Sequence, residues 1–502
     1  MQAMNPYLSL DTYIPDGEPH VFGDRLYVYG SHDREGGDTY CMDPYEVFSA
    51  PIHDLGNWKS HGISYRVAQD PHASETRQQM YAPDVVQGND GRYYMYYCLS
   101  GAQGKGGYDG PISVAVADEP GGPFTYYGDV KNADGSLFEK YALFDPAVIN
   151  DQGVIRLYYG ALIPFEEHIN FLNRGMMYRI MAKTYGKTYE EVKKEKGAIA
   201  GAITVTLADD MLTVISQPKR ILPGIAKGTP MEGHGFFEAS SIRKIGDKYY
   251  LVYSSVSCHE LCYAISNRPD GGWTYGGVII SNADVFEGQT LKDGKCIFGN
   301  NHGGIECVNG KYYIFYHRQT NRTCFSRQGC AEEIQILADG SIPQVHLTSQ
   351  GLLGHAFLKK GVYPASICCN LYGKAGSTWS NRLAMGNRYA YITQSGADYD
   401  PEDAGKPPYQ YVTNFKHNMT MGFKYFAVKD LSYIGITVRG KARGKIEIRT
   451  KEKGKVIATI VLQASKDWQT FEMPVTLSEK EYGLFFIYVG GGKCDVKEII
   501  LG

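Results

Sequence analysis

The chain has 502 residues, among them 40 Tyr, 59 Gly and only 4 Trp, and carries a formal net charge of −3. A balance this close to neutral, with basic residues scattered, speaks against nucleic acid or an anionic membrane as a partner. No run of about 18 apolar residues marks a membrane-spanning helix.

In chain order, five stretches repeat one pattern, a glycine turn followed by aromatic-rich alternation. FGDRLYVYGSH surrounds Gly23, NDGRYYMYYCLS surrounds Gly91, DQGVIRLYYGAL surrounds Gly153, IGDKYYLVYSS surrounds Gly246 and VNGKYYIFYHR surrounds Gly310. Each predicts a β-hairpin, because period-two alternation gives a strand one buried face and glycine permits the tight turn. The copies recur at intervals of about 60–70 residues, with about 90 before the fourth. A unit of that size holds a four-stranded antiparallel sheet, and five of them around an axis make a five-bladed β-propeller over residues 1–355. The longer interval carries the one predicted helix, over 187–200 in TYEEVKKEKGAIAGA. From 362 to 502 short strands such as YIGITVRG, VIATIVLQ and YGLFFIYVG predict a jelly-roll-like β-sandwich. The predicted fold class is all-β.

An ionisable residue precedes each turn at a comparable distance. Asp16 stands in IPDGEPHVFG, Asp84 in YAPDVVQGNDG, Asp145 in LFDPAVINDQG, Glu238 in FFEASSIRKIG and His302 in NNHGGIECVNG. Any one of these suits a turn residue at a strand start. Five in register instead predict that their side chains converge at one mouth of a central channel. No Ser-His-Asp arrangement or phosphate-cradling loop accompanies them, so the group points to acid–base hydrolysis. Glycoside hydrolysis needs one protonated and one ionised carboxyl, and a separation of about 6.5–9.5 Å leaves room for the water of an inverting reaction. Crowded carboxyls drive each other's pKa values apart, which supplies both forms near neutral pH.

These motifs together, with NPYL ahead of them and GNNHGGI in the fifth repeat, resemble glycoside hydrolase family 43 over about residues 5–350. The resemblance implies a five-bladed propeller that releases α-L-arabinofuranosyl or β-D-xylosyl units with inversion, from arabinoxylan-derived and other hemicellulose-derived oligosaccharides. It implies Asp16 as general base, Glu238 as general acid and Asp145 as the carboxylate that orients the acid and raises its pKa. Glu18 is a rival for the base. Tyr81, Asp84, Phe237 and Arg327 are implied substrate contacts, Tyr81 standing where the family usually has Trp. His302 matches a histidine that in some relatives holds a calcium ion through water near the channel axis. No cofactor is required for the chemistry. The C-terminal segment resembles family 6-like carbohydrate-binding sandwiches, with Trp468 expected in the core. A binding-only propeller and an arabinan- or galactan-directed hydrolase are the alternatives.

Two signals carry less. Cys258-His259-Glu260-Leu261-Cys262 looks like a metal motif but lacks a second ligand pair. The 11 Cys fall at irregular spacings and MQAMNPYLSL shows no secretion signal, so free thiols in a cytoplasmic protein are expected.

Overall fold

The computed structural model describes residues 3–101, 110–140, 142–161, 172–184, 188–194, 201–396, 408–477 and 480–502, and is all-β with little helix. The five hairpin repeats open five consecutive antiparallel sheets. Sheet I runs Glu18–Phe22, Arg25–Tyr29, Tyr45–Pro51 and Lys59–Tyr65; sheet II runs Gln79–Gln87, Tyr93–Ser100, Ile112–Ala117 and Thr125–Asp129. Sheet III comprises Ala147–Asp151, Val154–Tyr159, Gly201–Leu207 and Lys219–Pro223, and sheet IV comprises Phe236–Ile245, Lys248–Ser255, Glu260–Ser266 and Thr274–Ser281. Sheet V has three strands among the described residues, Ile305–Val308, Lys311–Gln319 and Arg327–Ile334, where a fourth was expected. The turn glycines Gly23, Gly91, Gly153, Gly246 and Gly310 all have φ between 60° and 91°. A Cβ at Gly23, Gly91, Gly246 or Gly310 would meet nothing within 4 Å, so backbone conformation and not space requires glycine there.

The high tyrosine count is explained by how the sheets pack. Tyr27, Tyr29 and Tyr45 of sheet I meet Met95 and Tyr97 of sheet II, and Tyr94 and Tyr96 of sheet II meet Leu157 and Val205 of sheet III. Tyr158 meets Leu251 and Tyr253 of sheet IV, while Tyr250 and Tyr263 meet Ile314 and Cys330 of sheet V. Tyr313 and Phe315 of sheet V then pack on Leu26 and Val28 of sheet I. Each such buried ring removes enough apolar area to contribute roughly 2–3 kcal/mol. The first strands of the five sheets are neighbours in the same cyclic order, ending with Ile305–Val308 against Glu18–Phe22.

Beyond residue 360 the strands form two further sheets. One is ordered Tyr391–Ser395, Tyr409–Lys416, Lys493–Leu501, Tyr433–Gly440, Ser465–Pro474, with Gly361–Pro364 also pairing Lys493–Leu501. The other is ordered Asn370–Tyr372, Thr420–Phe426, Tyr482–Gly491, Arg443–Arg449, Val456–Leu462. Ile434, Ile436 and Val496 of the first pack against Ile446, Leu484 and Phe486 of the second.

The helical excursion differs from expectation. Helices occupy Arg174–Thr184 and Tyr189–Lys194, a strand has begun by Gly201, and 195–200 lie outside the described residues. Met, Arg, Ala and Lys suit the helix over Arg174–Thr184, yet Met176 and Ile180 are exposed, which blurs the one-sided apolar stripe that sequence reading relies on. Its Tyr178 and Ala182 pack with Tyr81 of sheet II and with Phe144, just ahead of sheet III.

Candidate active site

Asp16 lies just ahead of the first strand of sheet I with φ 56° and is 4% exposed. Its Oδ1 accepts from Arg327 Nη1 at 2.6 Å and lies 3.2 Å from His317 Nδ1. Burial pushes the carboxyl up, but the Arg327 guanidinium and His317 overcome it and hold Asp16 well below the ordinary carboxylate range. Arg327 is itself anchored, its Nε and Nη2 donating to the two oxygens of Asp33 at 2.7 and 3.0 Å. His317 Nε2 donates to the Asn300 carbonyl at 2.6 Å, which fixes the ring.

Asp145 and Glu238 occupy the opposite electrostatic condition. Asp145, at φ 46°, is buried, and its Oδ2 accepts from the Ala239 N–H at 3.0 Å, so it grips the backbone directly behind Glu238. Glu238 is half-buried and sits in a double irregularity of its strand, followed by Ala239 at φ 67°. Burial and the charge of Asp16 push Glu238 up to about 7, against a smaller lowering by Arg327 and a hydrogen bond with Asn300. Burial, then Glu238 and Asp16, raise Asp145 well above its ordinary value. His302 Nδ1 stands 3.7 Å from Asp145 Oδ2, and burial lowers this imidazole to about 4. One carboxyl held down beside two pushed up is an acid–base arrangement.

Aromatic rings border these carboxyls. Tyr40 lies under the Arg327 guanidinium at 4.8 Å and 6.5 Å from the Tyr81 ring, which is 5.4 Å from Phe144. Tyr81 is buried by its neighbours, and Phe237 is half-buried beside Glu238.

Two implied substrate contacts are engaged with other groups of the protein. Asp84 accepts from the Val85 and Val148 N–H groups at 2.7 Å each and pairs with His20 Nε2 at 2.6 Å, so its carboxyl ties sheet II to sheet III. It belongs to a second buried group with Glu18 and Arg243, apart from Asp16. Arg327 is 1% exposed and its guanidinium bonds both Asp16 and Asp33. Glu18 is likewise drawn away, its Oε1 accepting from Ser241 Oγ at 2.7 Å and from Arg243 Nη1 at 2.8 Å.

Sequence reading missed Asp33, His317, Asn300 and Tyr40. The only local signals were the Asp closing YGSHD and the His in YIFYHRQ. The motif at 258–262 divides in the fold: His259 bonds Ser281 Oγ at 2.9 Å, whereas Glu260 bonds His234 Nδ1 at 2.9 Å. Trp468 is half-buried, not core; Arg439 lies 4.4 Å from its ring, and Tyr409 and Tyr411 flank it. Its strand is at the border of the six-stranded sheet, where one face has little to pack against.

Calcium takes six to eight oxygen ligands. Among the described residues His302 joins no group of three His, Cys, Asp or Glu side chains close enough to share an ion.

The fold and this paired-carboxyl site define a glycoside hydrolase, and the chain belongs to glycosyl hydrolases family 43, whose model matches residues 5–342. It is 42% identical over 510 residues to a xylosidase/arabinosidase of Thermoclostridium stercorarium, covering 100% of this chain and 99% of the relative. It is 30% identical over 329 residues to a xylosidase/arabinosidase of Bacteroides ovatus, covering 63% and 89%. A β-xylosidase/α-arabinofuranosidase from a compost metagenome, solved with xylotriose in a calcium-free form, matches with TM-score 0.51 and 27% identity over 68% of this chain and 97% of its own.

Proposed function

We propose that this enzyme is an exo-acting, inverting α-L-arabinofuranosidase with β-D-xylosidase activity on arabinoxylan-derived oligosaccharides. In this reading the five sheets form a five-bladed propeller over 1–355, and 362–502 form a β-sandwich. The cyclic contact of the five first strands supports the propeller, and the mutual packing of the last two sheets supports the sandwich.

The observation that carries the mechanism is the opposite treatment of Asp16 and Glu238. Asp16, held ionised by Arg327, draws a proton from the attacking water. Glu238, held protonated near neutral pH, gives its proton to the departing oxygen. Asp145 positions the acid through the Ala239 N–H, while burial and Asp16 are what raise it. Tyr81 and Phe237 shape the sugar pocket from the side. No metal enters a step. The cluster of exposed Tyr409 with half-buried Tyr411 and Trp468 supports carbohydrate contact by the C-terminal region. Retention on insoluble arabinoxylan, lowered by Trp468→Ala, tests that contact; equal retention refutes it.

The reading is tested by initial rates on 4-nitrophenyl α-L-arabinofuranoside and β-D-xylopyranoside, with and without EDTA. Release from the arabinoside, unaffected by EDTA, is expected. No release from either glycoside refutes it.

A further inference from the structure

We propose that Gln410, on the C-terminal six-stranded sheet, is a positioning residue for the catalytic base, so that the C-terminal region completes the catalytic apparatus of the five-sheet body. This rests on the glycosidase reading above, with Asp16 as base.

Gln410 and Gln394 stand opposite each other on paired strands. Alternate side chains of a strand take opposite faces, so Gln410 turns inward between Tyr409 and Tyr411, which meet Trp468 on the outer face. Gln410 Nε2 donates to the Tyr13 hydroxyl at 3.0 Å and to Gln328 Oε1 at 3.2 Å. The Tyr13 hydroxyl donates in turn to Gln394 Oε1 at 2.7 Å. Arg318 Nη2 joins both amides, at 2.8 Å to Gln328 Oε1 and 3.3 Å to Gln410 Oε1. Tyr13, Gln328, Gln394 and Gln410 are all buried.

Two routes lead from this network to Asp16. Tyr13 lies three residues ahead of the base, and its carbonyl accepts from the Asp33 N–H at 2.9 Å. Asp33 holds Arg327 through the guanidinium and also accepts from the Arg327 N–H at 3.1 Å, and Arg327 holds Asp16. The second route runs through Gln328, the residue after Arg327. Its Nε2 donates to the Leu10 carbonyl at 2.8 Å and the Thr12 carbonyl at 3.3 Å, tying the strand that carries Arg327 to the segment that leads into Asp16. Arg318 is likewise the neighbour of His317, and it pairs with Gln328 across the two strands of sheet V.

The chemistry of the contact suits positioning. Buried amides are costly unless bonded, and their bonds are directional, so they fix where Tyr13 and Gln328 sit in a way that apolar packing does not. Arg327, His317 and His302 face Asp16 together with the acids Glu238 and Asp145 and the buried side chains of Tyr7 and Cys41. Of the two groups that bond the Asp16 carboxyl, the network bears on Arg327 through Asp33 and stands next to His317.

Gln410→Ala tests this, because it leaves every partner with another bond: Gln328 Oε1 keeps Arg318, the Tyr13 hydroxyl keeps Gln394, and Arg318 Nη1 keeps the Ser366 carbonyl. On 4-nitrophenyl α-L-arabinofuranoside the variant should keep KM within about twofold while kcat falls by about 10-fold, as expected when a reacting group is displaced and binding is not. Its rate should also fail sooner as pH drops, because a loosened Arg327 lets Asp16 titrate higher. Tyr13→Phe, which removes one oxygen and no ring, should move kcat and the acid limb the same way and guards against misfolding of the first variant. In an Arg327→Lys background Gln410→Ala should add little, since both act through one contact. An acid limb that stays in place in folded Gln410→Ala and Tyr13→Phe, or losses that multiply in full in the double variant, overturn the proposal. If the wild type hydrolyses no glycoside, the glycosidase reading fails, and urea unfolding decides the network alone. Gln410→Ala and Arg327→Lys should then cost less together than the sum of their separate losses, and strict additivity overturns the link.

Discussion

Replacing Glu238 with Gln removes one proton and almost no volume, so its consequences follow from the electrostatics of the site. Moving this acid from its usual 4.5 to about 7 favours the protonated form by roughly 3 kcal/mol, at about 1.4 kcal/mol per tenfold. At pH 6 an ordinary glutamic acid is about 3% protonated and this one about 90%, so burial beside Asp16 supplies an approximately 30-fold larger population of competent acid. In Glu238→Gln, kcat on unactivated arabinosyl-oligosaccharides should fall by about 10²–10⁴-fold. The nitrophenyl glycoside, whose leaving group needs little protonation, should lose far less. The wild-type rate should decline as pH rises through about 7, and that limb should vanish in the variant. Stability gives an independent sign. The folded-state value lies above the unfolded one, so the wild type loses stability as pH rises from about 4.5 to 7, and the glutamine variant does not. Urea unfolding at pH 8 should therefore find Glu238→Gln more stable, with the gain gone below pH 4. Near wild-type turnover of the unactivated substrate, or a retained basic limb, would refute the assignment.

Arg327→Lys keeps the charge but loses the fork that serves Asp16 and Asp33 together. Asp16 should then titrate higher, so the rate should fail sooner as pH drops, and kcat should fall by about 10-fold or more. An acid limb that does not move would break the link between Arg327 and the base. Asp84→Ala strands the Val85 and Val148 N–H groups, costing roughly 2–4 kcal/mol in urea unfolding. Its kcat/KM at 25 °C should stay within about twofold while the protein is folded; a collapse of catalysis in a folded variant would return Asp84 to the substrate site.

The sequence exposed the hairpins because each pairs a positive-φ glycine with local alternation, both short-range features. The three carboxyls were visible for the same reason, as they sit at fixed offsets from those turns. Their partners were not. Arg327 reaches Asp33 across 294 residues and Asp16 across 311, and no spacing rule encodes a contact made by bringing sheet V against sheet I. Asp84 shares the offset of Asp16 yet faces two backbone N–H groups, so position in the repeat did not decide its role. Trp468 alternates like a core residue, but its strand borders the sheet, a fact of topology and not of sequence.

Asp16 and Glu18 show what separates the two buried acid groups. On a regular strand residues two apart share a face, and both carboxyls would enter one environment. Asp16 instead adopts φ 56° before the strand begins, which breaks the pleat and turns its carboxyl to Arg327, while Glu18 follows the strand to Arg243 and Ser241. The outcomes diverge accordingly: burial leaves Glu18 raised to about 7, and Arg327 holds Asp16 down. The same device recurs at Asp145, with φ 46°, and at Ala239 behind Glu238, with φ 67°. Asparate-type side chains tolerate this region, but for Ala239 it costs roughly 1 kcal/mol. Asp145 accepts the Ala239 N–H, so one hydrogen bond both stabilises the turned backbone and ties Asp145 to the residue after Glu238. Three local departures from strand geometry, at or just ahead of the first strands of sheets I, III and IV, thus accompany three acids whose charges act on one another.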